Sequence, residues 1–117
     1  MQDVRKILED FTNGVAGVSE TNPEVVNAFM GLQEATFSEG ALSVKTKELI
    51  SLAIGAYNRC QYCMVYHVYN AYKAGATREE ILEAAMVAVG GFGAGPSLAY
   101  SSTVLLDAVN EFEHDFE

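Results

Sequence analysis

Two thiols and an imidazole stand close together in Cys60-Gln61-Tyr62-Cys63-Met64-Val65-Tyr66-His67. These are the only cysteines of the chain, and the other histidine, His114, lies in an acidic C-terminal stretch. On a helix turning about 100° per residue, Cys60, Cys63 and His67 fall within an arc of about 60°. His67 is then one turn beyond Cys63. Such a surface can run thiol–disulfide chemistry or supply ligands to a metal. At a helix N-terminus, unpaired N–H groups and the positive end of the helix dipole favour thiolate and lower the first cysteine's pKa. The i, i+3 spacing lets the two sulfurs meet in a disulfide. The same C-x2-C-x3-H pattern offers three zinc ligands, with Glu48 or His114 as a fourth. Buried thiols without chemistry are a third possibility. On these residues alone all three readings stay open.

The elements that must position these groups read as helices throughout, with no convincing strand alternation. Val4, Ile7, Leu8 and Phe11 mark a first helix, expected to end around Gly14. Asn22-Pro23-Glu24 opens a second, with Asn as N-cap, Pro at the first position and an acid in the first turn. Ser43 caps a third that runs to Tyr57 and is apolar nearly all round beyond Glu48. The cysteine helix is expected from about Asn58 to Ala74, with Gly75 as its left-handed terminator. Thr77-Arg78-Glu79-Glu80 forms a capping box for the next helix. The segment from Gly90 to Pro96 is expected to break it and permit tight packing, and Ser97 to start a last helix ending near Phe112. A frayed tail should follow. The preceding segment is helical, so a thioredoxin-like arrangement, which needs a strand before CxxC, does not fit. The expectation is an all-α fold, a single domain of about six helices over residues 1–117.

Composition narrows the partners. The chain has 117 residues and a net charge of −9, without a basic cluster. Nucleic acid and anionic membrane surfaces are therefore not expected partners. No apolar run reaches the roughly 20 residues of a membrane span. No leader pattern is visible, and a cytoplasmic location is expected, where paired cysteines serve redox or metal chemistry more often than structure. An apolar fraction of 50% in so small a chain exceeds what its own interior readily hides, which points to an oligomer.

Glu48 is the remaining candidate. Buried, it would take a neighbouring imidazole as partner, and a Glu–His pair beside a thiol is a workable base for making thiolate. In solvent, it would pair with Lys45 or Lys47. Gly55 costs helix stability, and the expected reason is close approach by another helix. Tyr62, Tyr66 and Tyr69 form a stripe roughly opposite the thiols and read as core or subunit interface. His114 reads as solvated.

Glu48, with Cys60-x2-Cys63-x3-His67 beginning twelve residues later, resembles the motif of the alkylhydroperoxidase D-like, or carboxymuconolactone decarboxylase, family. The likeness extends over residues 40 to 90 and includes Ala74-Gly75-Ala76-Thr77-Arg78-Glu79-Glu80-Ile81. The resemblance implies an all-helical fold assembled as a homotrimer or homohexamer. Its redox branch implies a cofactor-free dithiol enzyme that reduces hydroperoxides or a partner's disulfide and is restored by an external dithiol. In that reading Cys60 and Cys63 are the redox pair, and Glu48 and His67 the proton relay. The family's hydroperoxidases carry a second histidine between the cysteines, where this chain has Tyr62, which bears on the relay and leaves the dithiol intact. The alternatives are a decarboxylase-like lyase acting on a small lactone, which does not rely on CxxC, and a non-catalytic metal-binding or scaffold oligomer.

Overall fold

The computed structural model describes residues 1–117, the side chain of Ala94 excepted. Their six helices are α1 (Val4–Thr21), α2 (Pro23–Phe37), α3 (Val44–Asn58), α4 (Gln61–Lys73), α5 (Arg78–Phe92) and α6 (94–112). The last is continuous through a π turn at Ser101–Leu105. The described residues contain no strand, so the fold is all-α, as the periodicity indicates. No helix among them is long and apolar enough to cross a membrane.

Local chemistry explains most boundaries. Ser43 accepts the Thr46 N–H at 3.1 Å and starts α3. Thr77 and Glu80 complete the capping box of α5, with bonds of 3.2 and 2.9 Å. Hydrogen bonding to the backbone N–H of Thr77, and then to Lys45, holds the Glu80 carboxyl below its usual pKa. Gly75 takes φ +94° and ends α4, a geometry that a Cβ would strain.

Four expectations are corrected. α1 does not stop at Gly14, because Val15 and Val18 continue the apolar spacing from Phe11, and Asn22 N–H then bonds the Val18 carbonyl at 2.9 Å. Asn22 stands at the N-cap of α2, but its side chain accepts from the Thr21 hydroxyl and caps no helix N–H. The break in the glycine-rich segment is confined to Gly93. α5 runs to Phe92 and α6 begins at Ala94, with Pro96 tolerated in the first turn. The tight packing expected of this segment is not found: an added Cβ at Gly93 would make an ordinary contact 3.4 Å from Ser97 Oγ, and Gly90, Gly91 and Gly95 face open space. The tail is docked: Phe116 packs edge-on against Tyr69 at 5.0 Å, and Arg5 binds Asp115 at 3.0 Å while lying over the Phe112 ring.

The core centres on α3, which packs closely with α4 on one side and α5 on the other. Leu52, Met64, Val65, Val68, Ile81, Leu105 and Phe112 are fully buried. Tyr72 donates to the Val109 carbonyl at 3.0 Å, tying α4 to α6, and burial raises its hydroxyl pKa to about 12. α2 contributes no buried residue.

Candidate active site

The turn between α3 and α4 positions the thiols. α3 ends at Arg59 in the left-handed region (φ 57°), and the Cys60 N–H returns to the Gly55 carbonyl at 2.9 Å. Cys60 is therefore the N-cap of α4, which begins at Gln61, three residues later than the expected start near Asn58. Its Sγ accepts the Cys63 N–H at 3.2 Å, as an N-cap oxygen would. Cys60 and Cys63 are joined as a disulfide with Cα atoms 5.2 Å apart, and both are half-buried. The close approach inferred at Gly55 is the seat of this arrangement. A Cβ there would stand 3.1 Å from Cys63 Cβ and 3.2 Å from Met64 N.

Glu48 is buried, and its Oε1 lies 2.7 Å from His67 Nδ1. With the carboxylate accepting from Nδ1–H, the free lone pair of the imidazole falls on Nε2. The solvent-paired alternative for Glu48 fails because both lysines are engaged elsewhere. Lys45 binds Glu80 at 3.0 Å, and Lys47 donates to the carbonyls of Thr36 and Ser38 at the end of α2. His67 follows Cys63 by one turn on α4, so dithiol and Glu–His pair lie in succession along the α3–α4 seam.

His67 opens on a cavity of about 290 Å³ lined by Met30, Gln33, Glu34 and Phe37 of α2, with Glu48, Tyr66 and Asn70. Phe37 stacks on the imidazole with ring centroids 5.7 Å apart, and Tyr66 meets it edge-on at 5.1 Å. Neither cysteine lines this cavity. The tyrosine stripe divides. Tyr69 packs on Phe112 in the interior, and Tyr62 is exposed at a groove between α1 and α2. Tyr66 belongs to the site, contrary to the core-or-interface expectation. Asn70 was within reach of sequence reasoning, because 63, 67 and 70 share a helical face. The α2 residues were not, since only tertiary packing brings Phe37 to His67.

His114 is exposed and pairs with Glu117 at 2.6 Å, which raises its pKa. Among the described residues no three His, Cys, Asp or Glu side chains converge in a way that would hold a metal ion. The four-ligand arrangement considered from sequence is not assembled in this geometry.

Fold and site together define an all-α protein with a CxxC disulfide at a helix N-terminus, adjoining a buried glutamate paired with a half-buried histidine. The chain belongs to the carboxymuconolactone decarboxylase family, whose model matches residues 23–102. It is 29% identical over 110 residues to an uncharacterised protein of Cupriavidus necator, covering 92% of this chain and 96% of that one. It is 36% identical over 87 residues to uncharacterised protein 4 in the cox locus of Paracoccus denitrificans, covering 74% and 78%. The crystal structure of an apo carboxymuconolactone decarboxylase family protein from Legionella pneumophila superposes with a TM-score of 0.90 at 37% identity, over 97% of this chain and 99% of that one. A family member from Thermotoga maritima, for which a part in the antioxidative response has been suggested, gives 0.62 at 32% identity over 88% and 95%.

Proposed function

We propose that this chain is a thiol-dependent oxidoreductase that reduces hydroperoxides or a partner's disulfide. The Cys60–Cys63 couple is its redox centre, and Glu48 and His67 move the protons. The observation that carries the reading is the N-cap position of Cys60. The backbone N–H that its sulfur accepts and the helix dipole both favour thiolate there.

In the cycle, His67 Nε2, oriented by Glu48, takes a proton from a thiol, directly or through water. With a hydroperoxide, the thiolate attacks the O–O bond, forming a sulfenic acid and releasing an alkoxide that leaves as alcohol after protonation. The second thiol displaces water from the sulfenic acid to give the disulfide. With a disulfide substrate, the thiolate forms a mixed disulfide, which the second thiol resolves, releasing the reduced partner. An external dithiol then returns both cysteines to thiols and is itself oxidised. We assign the attacking thiolate to Cys60, because the N-cap bond falls on its sulfur. A reducing cytoplasm suits this cycle, and a homotrimer or homohexamer is the assembly we favour. The antioxidative role suggested for the Thermotoga maritima relative accords with it.

A lyase acting on a lactone that carries a carboxylate has less support. Glu34 and Glu48 line the His67 cavity, and no lysine or arginine does so among the described residues. An anion entering there would meet negative charge without a counter-ion.

The test is intact mass and thiol count on reduced protein before and after limited peroxide. Loss of two hydrogens and two thiols, reversed by a dithiol, supports the reading. Thiols that persist through both peroxide and a disulfide oxidant overturn it.

A further inference from the structure

Lys47 and Glu48 are neighbours on α3 that serve different helices. Glu48 meets α4, with its Oε1 2.7 Å from His67 Nδ1. Lys47 meets α2, where its Nζ donates to the Thr36 carbonyl at 2.8 Å and to the Ser38 carbonyl at 2.7 Å. These carbonyls lie where α2 ends, beyond the reach of partners within the helix, and the negative end of the helix dipole adds to their pull on a cation. Lys47 is half-buried in this role. Among the described residues, no other side-chain hydrogen bond ties residues 23–38 to another helix. No residue of α2 is buried, so the position of its last turn depends on this clamp.

Phe37 stands between the two clamped carbonyls in sequence. Its ring is stacked on His67, with centroids 5.7 Å apart and planes 16° from parallel. The stack supplies a constraint that the Glu48 bond lacks. A hydrogen bond to Nδ1 sets which nitrogen keeps its lone pair, but hydrogen bonds tolerate tilt, and the terminal torsion of a histidine has only a broad intrinsic preference. A ring lying on one face opposes that rotation, because twisting the imidazole drives packed atoms together. Tyr66 also meets His67, edge-on at 5.1 Å, but it belongs to the same helix and cannot hold the imidazole against another.

We propose that Lys47 is a positioning residue for His67, acting through Phe37. The clamp on α2 keeps the phenyl ring stacked, and the stack keeps Nε2 aimed in one direction. Two consecutive residues of α3 thus orient one imidazole, Glu48 by its edge and Lys47 by its face. The inference rests on the reading of His67 as proton carrier, but the ring geometry can be read without turnover.

The test joins a nuclear Overhauser contact between the Phe37 and His67 rings, in the oxidised protein, to the rate of thiol loss from the reduced protein. Hydrogen peroxide and hydroxyethyl disulfide serve as oxidants, and the faster one is followed. Lys47→Met should lose the contact and slow thiol loss by about 10- to 100-fold, the scale of a misplaced catalytic group. Lys47→Arg, which offers donors to the same carbonyls, should restore both. Phe37→Leu should be slowed equally with the clamp in place, and it keeps the test open if Lys47→Met fails to fold. The double variant should be no slower than Phe37→Leu, because both changes remove one interaction. A Lys47→Met protein that keeps the ring contact would overturn the proposal. So would one that loses the contact at native rate while His67→Ala is slow, or a double variant slowed by the product of the two single effects. A His67→Ala protein of native rate would instead remove the functional reading, and the ring contact alone would then decide whether Lys47 orients the imidazole.

Discussion

The two helices that meet at His67 are held in opposite ways. α3 reaches it through Glu48, on a helix packed against α4 so closely that a methyl group at Gly55 would stand 3.1 Å from Cys63 Cβ. α2 reaches it through Phe37, at the end of a helix with nothing buried. The Glu48–His67 pair and the Cys60–Cys63 disulfide thus lie on the closely packed seam, and the cavity beside His67 has one wall with nothing buried. In the proposed cycle, chemistry that depends on sub-ångström placement is drawn from the first region, and access from the second.

The largest contrast concerns rate. His67→Ala should slow peroxide-driven disulfide formation by about 10²–10⁴-fold, the usual contribution of a positioned acid or base, measured by stopped-flow thiol loss. An unchanged rate would remove the relay from the mechanism and leave the N-cap alone to activate the thiol.

For stability, Leu52→Ala on α3 should cost about 2–5 kcal/mol in urea unfolding, because a fully buried leucine leaves a cavity. Met30→Ala on α2, 48% exposed, should stay within about 0.5 kcal/mol. Equal costs would end the distinction between the two helices.

The glycines sharpen it by sign. Gly55→Ala should destabilise by about 1–3 kcal/mol through overpacking against Cys63. Gly31→Ala, on α2 with nothing within 4 Å of its added Cβ, should stabilise by about 0.5–1 kcal/mol through helix propensity. Thermal unfolding of the two variants beside the native protein reads both.

The smallest effect lies outside both regions. Pairing with Glu117 raises the folded-state pKa of His114 above 6.5. Its contribution to stability is complete below the unfolded-state value and is lost as pH rises through the raised one. The group is fully exposed, so His114→Gln should leave unfolding curves from pH 5 to 9 almost superimposable. NMR titration of the native imidazole should still report the raised pKa.

How much of this was legible in the chain follows from the range of the interactions. Helix identity was written locally, in the 3.6 spacing of apolar residues and in caps such as Ser43 and the Thr77–Glu80 box. The thiol pair was legible too, since CxxC places both sulfurs within a single turn. Boundaries were less so: Gly14 and Gly90 are permissive of helix rather than prohibitive, and neighbouring contacts decide. The tail is docked rather than frayed because Arg5, more than a hundred residues away, binds Asp115.

The sequence by itself determined an all-α chain with two thiols at a helix start and an imidazole one turn on, because each depends on residues a few positions apart. Only the tertiary structure decided that Glu48 is buried against His67, that Gly55 admits the cysteine helix, and that Phe37, Tyr66 and Asn70 share the cavity. Those relations depend on how separate helices pack, and a buried contact between distant residues leaves no periodic trace in the chain.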